Sequence, residues 1–268
     1  MNWLIPWSIN IMQNATIMIL YVKLYFSQKR MCFPVFIIIY QIVFFACLKL
    51  MRRLNISDPG YLPTNSSTQQ IPEQTNVQEP QFSRFCPFCN HHQPLRSKHS
   101  KFSNRCVASF DHECNFLNVE IGERNRRQFL IYLVAEFFFH FFTFLLSFLT
   151  NPNTSKETVV EFWAHRANSF ICAVSSLIFA GVLFFMVFQH FMLAYNGQLQ
   201  YEMYKGRKLE YIKQFGDDCF DFGYIENFKT IFASKSGFIK WMPKQSQEKE
   251  AKKSWWEKVI ENEYWSCC

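Results

Sequence analysis

Long apolar stretches constrain this chain before anything else does. A helix needs about 20 mostly apolar residues to cross the hydrocarbon core of a bilayer. Four segments approach that requirement: residues 5–26, 31–50, 128–150 and 168–195. Averages conceal them. Mean hydropathy is near zero and the net charge is +7, yet 49% of residues are hydrophobic and the 32 phenylalanines cluster. Backbone polar groups in lipid must be satisfied within the segment. The expected fold is therefore an all-α integral membrane protein with four transmembrane helices. The first segment is the most polar, with Asn10, Gln13 and Asn14 inside it and Lys23 near its end. It reads either as a span, which is preferred, or as an interfacial amphipathic helix. No basic stretch precedes it, so no cleavable signal peptide is expected.

Lys and Arg placement sets the expected topology. Residues 49–127 carry eleven and the tail after residue 195 carries twelve, whereas the loop before the last span has only Lys156 and Arg166. The segment between spans two and three and the tail should face the cytosol. Lys29 and Arg30, in the tight hairpin 27–30, would then be lumenal, against the rule. Asn153-Thr154-Ser155 is a glycosylation sequon in the lumenal loop, close to the membrane.

Between spans two and three lies a polar stretch, residues 84–125, with four of the ten cysteines and four of the seven histidines. Cys86-x2-Cys89 can close two thiolates on one tetrahedral ion, and His99 and Cys106 complete a Cys3His zinc set. A disulfide is disfavoured in the reducing cytosol. Further on runs Asp111-His112-Glu113-Cys114. A thiol, an imidazole and a carboxylate are the material of nucleophilic catalysis: the base takes the thiol proton, the acid orients the base, and the thiolate attacks a carbonyl. On local chemistry alone, Cys114 serves equally as nucleophile or as a further zinc ligand.

The stretch resembles the cysteine-rich domain of the DHHC family of membrane protein S-acyltransferases (palmitoyltransferases), whose pattern is C-x2-C-x9-H-C-x2-C-x2-C-x4-D-H-H-C-x5-C-x-G. Cys86, Cys89, Pro94, Arg96, His99, Cys106, Asp111, His112, Cys114, Gly122 and Asn125 stand in register without a gap. The resemblance implies Cys114 as acyl-accepting nucleophile, His112 as general base and Asp111 as orienting carboxylate. It implies a first zinc on Cys86, Cys89, His99 and Cys106. The four ligand positions of the family's second zinc hold Ser100, Ser103, Glu113 and Glu120 instead. One zinc ion is therefore expected, with hydroxyl and carboxylate hydrogen bonds in the other ion's place and Lys101 or Arg105 as counter-charge. Glu113, next to the nucleophile, would oppose thiol ionisation unless it is paired. Phe116 stands where the family has Trp.

Weaker matches flank the stretch. Asp58-Pro59-Gly60 is an ordinary turn by itself and resembles the family's short DPG motif in this position. Of a Thr-Thr-x-Glu motif only Glu202 is kept, with Leu199 and Gln200 at the Thr positions. Residues 220–232 resemble the family's aromatic–Asn motif, with Asn227 at its centre.

The expected organisation is transmembrane helices 1 and 2 over residues 1–53, a DPG motif and polar linker over 54–83, and a small cytosolic zinc-binding cysteine-rich domain over 84–127. Helices 3 and 4 follow over 128–195 and a cytosolic tail over 196–268. Glu136 and His140, four apart in the third span, read as a pair locking helix packing or as a feature of an acyl pocket. Trp256, Ile260 and Tyr264 lie near one face of a last segment that could rest on the membrane, and Cys267 and Cys268 are either lipidated or free thiols. The implied activity is transfer of a long-chain acyl group (palmitoyl) from acyl-CoA to substrate cysteines, with Phe116 near the acyl pocket and Arg124 and Arg126 holding CoA phosphates or serving as membrane anchors. The alternative is a catalytically inactive adaptor of an active acyltransferase; a transporter is disfavoured. Expected partners are acyl-CoA, membrane-associated protein substrates with cytosolic cysteines and an optional accessory subunit, with no nucleic acid. The expected location is the endomembrane system: ER, Golgi or plasma membrane.

Overall fold

The computed structural model describes residues 4–28, 34–63, 84–149 and 158–232. The hairpin cations Lys29 and Arg30, most of the polar linker, the sequon and the final tryptophan-rich segment lie outside these residues.

Among the described residues four long helices are apolar: α1 (Leu4–Gln28), α2 (Pro34–Asn55), α3 (Arg126–Leu149) and α4 (Val159–Tyr195). Pro34 opens α2, where a missing N–H costs nothing, and Arg52 and Arg53 lie in its last turn, where cations suit the helix dipole. Ile37, Tyr40, Phe44, Cys47, Met51 and Leu54 recur every three or four residues and form its buried stripe. The opposite face, including Phe36, Ile38, Ile42 and Phe45, is exposed and apolar, as a lipid-facing surface must be. Ser169, Ala173, Ser176 and Ala180 give α4 a small-residue stripe, which lets it lie close against α3. Among the described residues, three helices are long and apolar enough to cross a membrane: Pro34–Asn55, Arg126–Ser147 and Arg166–Tyr195. This is a membrane protein.

The chain is mostly helical rather than all-α. Between α2 and α3 lie three two-stranded hairpins: β1 (Arg84–Cys86) with β2 (His91–Gln93), β3 (Lys98–Ser100) with β4 (Arg105–Val107), and β5 (His112–Cys114) with β6 (Val119–Ile121). Three-residue strands carry too little periodicity to be read from sequence. Their turns are alike: Cys86-Pro-Phe-Cys-Asn90, Ser100-Lys-Phe-Ser-Asn104 and Cys114-Asn-Phe-Leu-Asn118. Each ends on an Asn at positive φ (53°, 55° and 56°), the left-handed conformation that Asn tolerates best after Gly.

Residues 57–62 fasten the hairpins to α2. The Asp58 carboxylate accepts the N–H groups of Gly60 and Tyr61 and pairs with Arg124. The Leu62 N–H donates to the Cys106 carbonyl at 2.8 Å and the Ala108 N–H to the Gly60 carbonyl at 2.9 Å. At Gly122 a Cβ would meet the Pro59 carbonyl oxygen at 2.5 Å and Val107 at 2.6 Å, so the turn closes only without a side chain. Asn125 ties the junction together: its oxygen accepts the Gly122 N–H, and its amide donates to Ser57 and the Glu120 carbonyl. Met51, Leu54, Leu117, Ile121, Phe129 and Leu133 then form one core shared by the hairpins and the helices.

After α4 come α5 (Gln200–Lys205), a 3-10 turn (Gly206–Lys208), α6 (Glu210–Phe215) and α7 (Tyr224–Phe232). Asn227 receives the Phe222 N–H and donates to the Tyr195 carbonyl at 2.7 Å, satisfying the end of α4. Arg96 reaches from the hairpins to the tail. Its guanidinium makes a two-pronged pair with Glu202 (2.8 and 2.7 Å), donates to the Gly197 carbonyl and lies 4.1 Å from the centre of the Phe220 ring.

Candidate active site

The first two hairpins bring Cys86, Cys89, His99 and Cys106 together, three of them buried. The three sulfurs lie 3.6, 3.3 and 3.8 Å from His99 Nδ1. A zinc ion holding sulfur at 2.3 Å and nitrogen at about 2.05 Å in a tetrahedron needs this edge to be about 3.6 Å. Supporting contacts are also in place: His99 Nε2 faces Asn104 Oδ1 at 3.2 Å, and Gln93 donates to Cys106 Sγ at 3.0 Å. These residues fit zinc. Cys114 stands apart from them in the third hairpin and is not a fourth sulfur ligand.

The third hairpin carries the Asp-His-Cys set. Asp111 and His112 are sequence neighbours whose side chains converge, with His112 Nδ1 2.9 Å from Asp111 Oδ2. The other Asp111 oxygen accepts the Gln200 backbone N–H at 2.9 Å and lies 3.7 Å from Arg126 Nε. Asp111 is completely buried. Burial favours its neutral form, but Arg126 and the His112 hydrogen bond outweigh that and hold the carboxyl well below the usual range. Burial likewise works against charge on His112. The hydrogen bonds with Asp111 and Cys114, and their charges, raise its pKa to about 9. The imidazole packs against Phe129 (centroids 5.0 Å apart) and His190 of α4 (5.8 Å), which also touch each other at 5.3 Å.

Cys114 is half-buried and faces a cavity of about 310 Å³ that enters the helices. Phe116, Leu117, Leu133, Leu183 and Met186 are among its walls, and Asn10, Glu136 and His140 also line it. Asn10 Nδ2 donates to both Glu136 oxygens at 2.8 and 3.1 Å, and His140 Nε2 lies 3.8 Å from Glu136. Glu136 and His140 are thus both a packing pair and part of the cavity lining.

A model of the DHHC palmitoyltransferase family matches residues 79–207. Nearly half of the chain, residues 79–207, is thus a DHHC-type domain. It is similar to the putative ZDHHC-type palmitoyltransferase 7 of Dictyostelium discoideum, 28% identical over 194 residues that cover 69% of this chain and 43% of the relative. It resembles human palmitoyltransferase ZDHHC3 at 27% over 118 residues, covering 44% of this chain and 40% of that protein. Palmitoyltransferase AKR1 of Mortierella alpina is 43% identical over 82 residues, or 29% of this chain and 15% of the relative. The chain thus spans less than half the length of the curated relatives it matches.

Within the DHHC hairpins, Glu113 lies between His112 and Cys114 in a strand, so its side chain leaves on the opposite face. It accepts a hydrogen bond from Ser100 at 2.9 Å, a partner on the face of the strand away from Cys114. Arg124 and Arg126 do not converge on a shared phosphate site. Arg124 pairs with Asp58, while Arg126 turns inward to Asp111 and donates to the Gln198 carbonyl at 2.8 Å. Arg126 is an electrostatic partner of the buried carboxylate, because its side chain is enclosed by the segment after α4. At Gln200 it is the backbone N–H, and not the side chain, that reaches Asp111. Sequence reasoning missed His190, although an ionisable residue in an apolar span is itself a signal.

Proposed function

We propose that this chain is a protein S-acyltransferase that moves a long-chain acyl group from acyl-CoA to protein cysteines through a thioester on Cys114. The observation that carries this reading is the Asp111–His112–Cys114 chain at an apolar cavity running into the helices. His112 accepts the Cys114 proton and is charged while Asp111 stabilises it. The thiolate attacks the acyl-CoA carbonyl carbon, the carbon–sulfur bond to CoA breaks, and the proton on His112 passes to the departing CoA sulfur. A substrate cysteine repeats the exchange: it gives its proton to His112, attacks the Cys114 thioester and receives the acyl group, and Cys114 leaves as a thiol. Thioester exchange is nearly balanced, so positioning supplies most of the catalysis. The cavity would take the acyl chain, with Phe116 at its mouth beside the sulfur.

One zinc ion would be held by Cys86, Cys89, His99 and Cys106, where it would fasten the first two hairpins. The domain limits stay as read from the sequence: 1–53, 54–83, 84–127, 128–195 and 196–268. We take α1 as a fourth span. Asn10 and Gln13 are buried against α3 and α4, while Ile11, Met12, Ile19 and Val22 are exposed, the reverse of a helix lying at a water interface. The Lys and Arg distribution supports a cytosolic site and tail; we place the chain in an endomembrane compartment, acting on membrane-associated proteins, as part of the same reading.

The test is incubation of the detergent-purified chain with labelled palmitoyl-CoA, wild type beside Cys114→Ser. Hydroxylamine-sensitive label on the wild type alone is the expected result. A folded, zinc-loaded wild type that takes no label would sink the enzyme reading and restore that of an adaptor.

A further inference from the structure

A second zinc, the other half of the family's metal set, does not fit this chain. Ser100 ends β3 and Ser103 lies in the turn after it, while Glu113 and Glu120 face each other across β5 and β6. Thiolate and imidazole ligands are replaced by hydroxyl and carboxylate oxygens, a donor set that does not suit structural zinc. What occupies these positions is a pair of hydrogen-bonded locks. Ser100 Oγ donates to Glu113 Oε1 at 2.9 Å, and Ser103 Oγ donates to Glu120 Oε1 at 2.8 Å. The Tyr61 hydroxyl donates to Glu120 Oε2 at 2.6 Å, so both oxygens of this buried carboxylate are engaged. The Arg105 guanidinium lies 4.0 Å from the centre of the Tyr61 ring and supplies the nearby positive charge.

We propose that the two locks replace the second zinc as the clamp that sets the position of the nucleophile. Each lock runs from the β3–β4 hairpin to the β5–β6 hairpin, and the latter carries His112 and Cys114. A zinc ion would draw the same four positions to one point; the locks fasten them two by two. Glu113 does this from the face of β5 opposite Cys114. Tyr61 extends the second lock to the segment that leaves α2, so the exit of a membrane helix and the catalytic hairpin share one carboxylate. Ser100, Ser103, Tyr61, Glu113 and Glu120 are positioning residues: they act on the reaction through His112 and Cys114. Only the effect on acyl transfer rests on the acyltransferase reading.

The experiment uses the full chain in detergent with three readouts. These are zinc per chain by elemental mass spectrometry, the rate of Cys114 alkylation by iodoacetamide across pH (followed on its own peptide), and acyl labelling from palmitoyl-CoA. Wild type should carry one zinc. Ser100→Ala and the Tyr61→Phe/Ser103→Ala pair should also carry one. Their Cys114 alkylation should change by about tenfold with a displaced pH profile, the scale of one hydrogen bond to a charged group. Ser100→Cys, Ser103→Cys, Glu113→His and Glu120→Cys together should take up a second zinc and return alkylation toward wild type. Two zinc ions on the wild type, or lock variants whose alkylation matches the wild type across pH, would overturn the proposal. If the fourfold variant does not fold, the lock variants decide. An alkylation profile that responds to the locks in a chain that never takes acyl label would leave the clamp standing and end the acyltransferase reading.

Discussion

Replacing Asp111 by Asn removes a negative charge from a fully buried site while keeping its shape. The carboxylate holds His112 Nδ1 at 2.9 Å and is a main reason the imidazole pKa rises to about 9. A hydrogen bond to a charged group contributes about 1.5–3 kcal/mol, and one pKa unit is 1.36 kcal/mol, so the substitution should lower His112 by about one to two units. At pH 8 the imidazolium fraction would fall from roughly nine-tenths to a half or less. A second effect adds to this. An Asn amide turned toward Nδ1 would favour the tautomer with its proton on Nε2, leaving no acceptor there for the Cys114 proton. The loss in acyl-enzyme formation should be about 10²–10⁴-fold. The sign of the pH dependence follows from the raised pKa. With the charged imidazole held up to about 9, the alkaline limb of the wild-type profile should lie there and should move to lower pH in the variant. Single-turnover labelling from palmitoyl-CoA between pH 6 and 10 measures both quantities. A variant within twofold of wild type, with its alkaline limb unmoved, would refute the assignment of Asp111 as the group that charges His112.

Glu202→Ala should destabilise the chain by about 3–5 kcal/mol, because it leaves Arg96 enclosed without its two-pronged partner; thermal unfolding in detergent checks this, and an unchanged midpoint would show the pair to be idle. Gly122→Ala should loosen the junction by about 1–3 kcal/mol or more, since its methyl would meet backbone at Pro59 that has no room to retreat; a midpoint and labelling rate equal to wild type would contradict the close approach. Removing zinc with a strong chelator should melt the first two hairpins and abolish labelling until zinc is returned, and circular dichroism and labelling together report it. His190→Ala should slow labelling several-fold by freeing one face of His112, while His190→Phe should restore most of the rate; equal rates in all three would mean the His112 ring needs no support from α4.

Much of this was legible along the chain because it is local. A Cys3His set declares itself by spacing, since a CxxC turn closes on one ion whatever surrounds it, and an apolar run declares a membrane helix because lipid leaves the backbone no alternative. The same locality explains the departures. Glu136 and His140 are visible as a pair at i, i+4, but Asn10, which donates to both Glu136 oxygens, lies 126 residues away. Nothing in the neighbourhood of Arg126 distinguishes a phosphate ligand from a buried counter-charge, and only the segment after α4 turns it inward. The short hairpins escaped detection because three residues hold no readable period and their turns depend on Asn at positive φ.

By itself the sequence pointed to the apolar helices and to a Cys3His ligand set, because both follow from residue type at short range, and it marked Asp111, His112 and Cys114 as a catalytic set only through the family resemblance. Tertiary structure alone decided how these parts act together. Asp111 is ionised and fixed because Gln200 and Arg126 meet it, His112 is held because α4 brings His190 against it, and Glu113 is engaged because the Ser100 hydroxyl donates to it on the far face of the strand. Those partners come from distant segments, and only folding brings them within hydrogen-bond reach.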